Sequence, residues 1–108
     1  MEHYAVPLVF VSDLLESSPV TPGRLGHSTV LTSPDVRVVV LSFEAGHVMK
    51  EHRAPKTLIL QALDGCLNVT AAGQLTTLAP GAILRLEASL PHEVEALEDS
   101  RLMLTLIG

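Results

Sequence analysis

Short apolar segments separated by turn residues fill the sequence from residue 36 to residue 108. The turn residues recur at short intervals, at Gly46, Asp64-Gly65, Gly73, Pro80-Gly81, Pro91 and Asp99-Ser100. Punctuation of this kind, with short apolar segments between the turns, is typical of a β-sandwich or β-barrel. It predicts strands over residues 36–43, 57–63, 66–71, 75–78, 82–86, 92–96 and 101–107.

Two predicted strands alternate between apolar and polar residues, and the alternation assigns their side chains to faces. In residues 92–96, His92, Val94 and Ala96 share one face and two glutamates share the other. Because successive side chains of a strand point to opposite faces, His92 is predicted to point into the barrel. Residues 38–41 and 102–104 are apolar on both faces, so they need cover from a second sheet or a partner subunit.

Two stretches carry helical signals. Residues 82–88 are good helix formers, but Gly81 and Pro91 bracket too short a span for a typical globular helix, so a strand is predicted there. Residues 12–16 predict one short helical turn capped by Ser12, and residues 17–26 predict a loop. The expected organisation is one domain, in which an arm and loop of residues 1–35 pack on a β-barrel of residues 36–108.

Composition narrows the class of protein. The chain has 108 residues, 47% of them hydrophobic, which favours a homodimer that hides part of this surface. A net charge of −5, from 7 basic and 12 acidic residues, argues against a nucleic-acid partner. The single cysteine, Cys66, excludes an internal disulfide. No apolar run reaches membrane-spanning length and the N-terminus does not resemble a signal peptide, so we expect a cytoplasmic protein without membrane contact.

Histidines are the candidate chemical groups of this sequence. Imidazole is a common ligand of zinc, iron, nickel and copper, and the chain has five histidines. His52 follows a glycine turn at Gly46, and His92 follows Pro91 directly. Both are therefore expected near turns at strand edges, where a barrel would open.

The spacing of these residues resembles that of a known family. Gly46-x5-His52, ending at the turn Asp64-Gly65, resembles the first motif of the cupins, and Pro80-Gly81 followed by Pro91-His92 resembles the second. The resemblance spans roughly two thirds of the chain. It implies an all-β fold, a cupin-like jelly-roll barrel, also called a double-stranded β-helix.

The departures from the cupin pattern fall on the metal ligands. Ala54 stands where the family has its second histidine, and Leu58 where it has its glutamate. His52 and His92 are what the resemblance leaves of a metal site. His47 is a weak third candidate, because an odd spacing from His52 would put the two side chains on opposite faces of a regular strand, unless a bulge intervenes.

Two functions follow from this pattern. The first is a small-molecule-binding barrel, in which the two histidines orient a ligand in an apolar pocket lined by Ala54, Leu58, Leu60 and Ala62. The alternative, implied by the resemblance, is a metal-dependent enzyme of the dioxygenase or isomerase type, in which His52 and His92 hold Fe, Mn, Ni or Zn. The sequence leaves both open, as it leaves open whether any metal is bound.

Overall fold

A computed structural model describes residues 7–108 and shows two antiparallel sheets facing each other. No α-helix forms within this range, and none of its elements is a helix that could span a membrane. The strands are β1 (Gly26–Thr32), β2 (Val36–Phe43), β3 (Val48–His52), β4 (Thr57–Asp64), β5 (Leu67–Ala71), β6 (Gln74–Leu78), β7 (Leu84–Leu86), β8 (His92–Ala96) and β9 (Ser100–Ile107). One sheet has five strands in the order β1-β2-β9-β4-β7, and the other has four in the order β3-β8-β5-β6.

The hydrophobic core lies between the two sheets. Strand alternation sends every second side chain inwards, so that β8 is buried at His92, Val94 and Ala96 and exposed at the two glutamates between them. The five-stranded sheet contributes Phe43, Leu60 and Leu102, each with 0% of its surface exposed. The predicted all-β fold is therefore confirmed, and residues 84–86 form a strand rather than a helix.

Two strands, β1 and β3, were not predicted from the sequence. β1 pairs with β2 upstream of residue 36, inside the stretch expected to be arm and loop. β3 pairs with β8, but the register shifts between Met49 and His52. Two residues of β3, Lys50 and Glu51, there lie opposite the single residue Glu93 of β8, which is a β-bulge. The bulge interrupts the period-two pattern that would have identified the strand.

The turn between β4 and β5 depends on a close backbone approach at Gly65. This residue has φ of +76°, a conformation that side chains disfavour. A Cβ atom at Gly65 would lie 2.5 Å from the Asp99 carbonyl oxygen and 2.6 Å from Ser100 Cβ. Ser100 Oγ accepts a hydrogen bond from the Cys66 backbone N–H at 2.9 Å. The turn is thus locked against the start of β9.

The chain before β1 is held on the outer face of the five-stranded sheet by a short turn, which we call the N-terminal turn (residues 13–18). The Ser18 carbonyl oxygen accepts hydrogen bonds from Ser42 Oγ at 2.8 Å and from Arg101 Nε at 2.7 Å. Asp13, rather than the predicted Ser12, caps this turn, because Asp13 Oδ1 accepts from the backbone N–H groups of Leu15 and residue 16.

The predicted N-terminal arm lies partly outside the described residues, which begin at residue 7. Of its apolar side chains, Leu8 is 74% exposed and Phe10 is 80% exposed in the single chain. These two side chains are therefore available for contacts beyond their own barrel.

Candidate functional site

A cavity of about 510 Å³ opens at the end of the barrel where β3 ends and β8 begins. Its floor is apolar and comes mainly from the five-stranded sheet, whereas its rim carries nitrogen-bearing side chains. We call these the apolar floor (Leu25, Val39, Leu41, Met49, Leu58, Leu104 and Leu106) and the polar rim (His27, Arg37, His52, Arg53 and His92). Ala54 and Pro55 complete the wall.

His92 is the fixed member of the rim. It is the first residue of β8, shares the inward face with Val94, and is 2% exposed. Its Nδ1 lies 3.1 Å from the Leu90 carbonyl oxygen, so this nitrogen donates a hydrogen bond when it is protonated. The bond orients the ring and leaves Nε2 as the nitrogen that can serve a ligand.

His52 reaches the same cavity because of the bulge in β3. The bulge places His52, rather than Glu51, directly opposite His92 in the ladder. The two rings meet edge to face, with centroids 6.0 Å apart and planes at 86°. His52 is exposed, in contrast to its partner. The predicted pair therefore comes together at the cavity mouth, one imidazole anchored and the other open to solvent.

His47 lies far from this pair. The Ala96 backbone N–H donates to the His47 carbonyl oxygen at 3.0 Å, so His47 sits opposite the far end of β8. Ala96 lies four positions after His92 along β8, which at a rise of ~3.3 Å per residue is about 13 Å. The His47 ring packs against Phe43, with centroids 6.1 Å apart. The bulge does bring His47 to the inward face, but at the wrong end of the barrel to share a ligand with His52.

The four predicted pocket residues divide into two pairs. Ala54 and Leu58, which stand where cupins carry a histidine and a glutamate, both line the cavity. Leu60 and Ala62 lie deeper along β4, 0% and 6% exposed, and belong to the packed core instead of the cavity wall. Space that metal ligands would occupy in the family pattern is thus apolar here.

The side chains around His52 and His92 do not fit the usual requirement of a catalytic metal, which is three protein ligands. Over residues 7–108, no group of three or more His, Cys, Asp or Glu side chains is placed to hold an ion. The closest carboxylate neighbours in sequence do not help, because Glu51 and Glu93 contribute to a separate, smaller concavity of about 390 Å³. That concavity shares only His92 with the larger cavity.

Three rim residues were not among the predicted site residues: Arg37, Arg53 and His27, the last of which lies in the stretch expected to be arm and loop. A signal for Arg37 was present in the sequence, since it has the same parity in β2 as Val39 and Leu41 and must share their face. Arg53 directly follows β3, and His27 belongs to the unpredicted β1. Neither could be placed without knowing that those strands exist.

The fold and the cavity together define a small two-sheet barrel with a cavity of ligand size at one end. Protein-family models give no match to this sequence, and curated proteins give none either. Solved structures do. An RmlC-like cupin protein from Desulfovibrio desulfuricans superposes with a TM-score of 0.82 at 24% identity, over 93% of this chain and 97% of that one.

Two further neighbours are individually named proteins. KdgF from Halomonas sp. superposes with a TM-score of 0.73 at 26% identity, over 82% of each chain. Salicylate 1,2-dioxygenase from Pseudoaminobacter salicylatoxidans, solved as adducts with gentisate, gives a TM-score of 0.73 at 18% identity, over 82% of this chain and 26% of that one. The chain therefore has the cupin fold, and the predicted resemblance is confirmed at that level.

Proposed function

We propose that this protein binds a small organic molecule in the cavity between its two sheets, with His52 and His92 orienting the ligand at the mouth. The observation that carries the proposal is the cavity itself. A volume of about 510 Å³ lies within the range of small-molecule sites, and such sites combine apolar walls with a few convergent polar groups. The apolar floor and polar rim have this arrangement.

The apolar floor and the polar rim have different roles in the proposed binding. Leu58 and Leu104 line the cavity with apolar side chains, so the floor offers apolar contact surface to a ligand. His92 is held by the Leu90 carbonyl and adds a directed hydrogen bond without reorganising. One cupin-fold neighbour was solved as adducts with gentisate, which supports the same size class of ligand for this barrel.

The test is ligand-observed NMR of the protein against a set of fragment-sized organic molecules, with hits located by backbone amide shifts. We expect hits that shift the amides of Leu58 and Leu104 and that disappear in Ala54→Trp, whose indole occupies the cavity. Ala82→Trp is the matched control, because Ala82 is exposed and lies outside the cavity. Hits that survive Ala54→Trp, or an absence of hits, would contradict the proposal.

The alternative, a metal-dependent enzyme, would need three side chains in the cavity that can bind a metal. His52 and His92 supply two imidazoles to the cavity, and the third position that a catalytic site requires is filled by Ala54 and Leu58. We therefore expect untagged protein to contain far less than one equivalent of Fe, Mn, Ni or Zn by elemental analysis. One equivalent of metal that is lost in both His52→Ala and His92→Ala would favour the enzyme instead.

A further inference from the structure

The cavity has a charge opposite to that of the whole protein. The chain carries 12 acidic and 7 basic residues, for a net charge of −5. Over the described part of the chain, however, the cavity lining includes Arg37 and Arg53 and contains no aspartate or glutamate. A positive site walled by apolar surface focuses its field on whatever enters it. The positive charge of the two arginines therefore favours an anion in this cavity.

Arg37 is the better placed of the two arginines. It lies on the inward face of β2, on the same face as the buried Val39 and Leu41. Its Nη2 donates a hydrogen bond to Thr29 Oγ1 at 3.3 Å. A guanidinium has five N–H donors, so this neutral contact steadies the side chain and leaves donors for a further partner.

Neither cavity arginine is neutralised by the protein within residues 7–108. The ion pair found there joins Arg101 to Asp64 at 2.7 Å, on the outer side of the barrel. Arg53, which follows β3 directly, stands beside His52 at the mouth. The neighbouring carboxylates of Glu51 and Glu93 line the separate concavity of about 390 Å³ instead. As far as residues 7–108 show, the cavity thus has two guanidinium groups in its lining without a carboxylate partner.

We propose that the ligand is a small organic acid, bound with its carboxylate at Arg37 and Arg53 and its apolar body on the floor. This inference rests on the proposed function and adds the chemical class of the ligand. Arginine pairs with carboxylates through two parallel charge-assisted hydrogen bonds, which are stronger than neutral ones. The floor residues Leu41, Leu58 and Leu104 exclude a ligand that is polar throughout, because they would leave its polar groups unpaired.

The experiment compares matched carboxylate and carboxamide probes by isothermal titration calorimetry with the full chain. Benzoate and benzamide, cyclohexanecarboxylate and its amide, and hexanoate and hexanamide have nearly the same shape but differ in charge. We expect at least one carboxylate to bind about tenfold or more tightly than its amide, since charge-assisted hydrogen bonds are roughly twice as strong as neutral ones. Raising the ionic strength from about 0.01 M to about 0.15 M should weaken the carboxylate alone.

Three variants locate the charge. Arg37→Gln and Arg53→Gln should each weaken the carboxylate about tenfold and leave the amide unchanged, as expected when a charged hydrogen bond is lost. Arg85→Gln is the matched control, because Arg85 is exposed on β7 outside the cavity and its loss changes the net charge equally. It should leave all affinities unchanged.

The outcomes separate the two proposals. Equal binding of acid and amide, both abolished by Ala54→Trp, would overturn the organic-acid inference and leave the small-molecule function standing. Carboxylate binding that Arg37→Gln, Arg53→Gln and Arg85→Gln weaken equally would also overturn the inference, because it would reflect overall charge. If no acid or amide binds, the organic-acid inference fails, and the fragment screen with Ala54→Trp decides the small-molecule function separately.

Discussion

Replacing Gly65 with alanine tests whether the β4–β5 turn is held as closely as the structure shows. Gly65 closes the first of the two cupin-like motifs, with φ of +76°. Gly73, in the turn between β5 and β6, has φ of +71°, but a Cβ there meets nothing within 4 Å. The pair shares its backbone conformation and differs in its surroundings, so Gly73→Ala is the matched control for Gly65→Ala.

The magnitude follows from two contributions. An L-residue in the left-handed conformation costs about 1–2 kcal/mol, and both variants incur this. At Gly65 the new methyl group also contacts Ser100 Oγ and the Asp99 carbonyl, which must move. Ser100 Oγ accepts from the Cys66 N–H and donates to the Glu98 carbonyl at 2.7 Å. Losing these two hydrogen bonds adds about 2 kcal/mol, at about 1 kcal/mol each.

We therefore expect Gly65→Ala to lower the free energy of unfolding by about 3–4 kcal/mol and Gly73→Ala by about 1–2 kcal/mol. The assay is equilibrium urea denaturation monitored by far-ultraviolet circular dichroism, with the two variants and the parent analysed at a common m-value. Equal losses in both variants would refute the reasoning, because the chain would then accommodate the Gly65 methyl group without disturbing Ser100.

Three further predictions concern other contacts. His92 is 2% exposed, so His92→Gln should lower the free energy of unfolding by about 1–3 kcal/mol, whereas His52→Gln, at an exposed position, should change it by no more than about 0.5 kcal/mol. Comparable losses for the two variants in urea denaturation would contradict this. Arg101→Met removes the ion pair with Asp64 and a hydrogen bond to the Ser18 carbonyl oxygen, so it should lower the free energy of unfolding by about 1–2 kcal/mol. It should also speed hydrogen exchange of the backbone amides in the N-terminal turn, and unchanged exchange rates would count against the contact. Light scattering at micromolar concentration should give a homodimer that Phe10→Ser weakens, since Phe10 is 80% exposed in the single chain; a monomeric parent would reject the dimer.

Much of the fold could be predicted from sequence because most of its strands have one buried face. In β8 the alternation of His92, Val94 and Ala96 with two glutamates matches their burial. β1 gave no such signal, since it is an edge strand whose exposed positions are His27 and Thr29. β3 gave none because a bulge changes the face of its side chains halfway along.

The site was less predictable than the fold, for a related reason. The two histidines could be placed by motif spacing, but the rest of the polar rim comes from β1, β2 and the residue after β3, far apart in sequence. Arg37 could have been assigned to the inward face because it is two residues from Val39 in the same strand, whereas no such pattern identifies Arg53. Leu60 and Ala62 share the inward face of β4 with Leu58, but the alternation of faces does not show how far along β4 the cavity extends.

The bulge in β3 determines whether an imidazole or a carboxylate stands opposite His92. Regular pairing from Met49 would set Glu51 opposite His92, and the extra residue sets His52 there. A slip of one residue would exchange an imidazole for a carboxylate at the mouth and place a negative charge beside Arg53. The charge at the cavity mouth therefore depends on the number of residues in β3 as well as on their identity. We expect that one residue inserted between Met49 and Glu51 would bring a carboxylate opposite His92 and weaken the proposed binding of an organic acid.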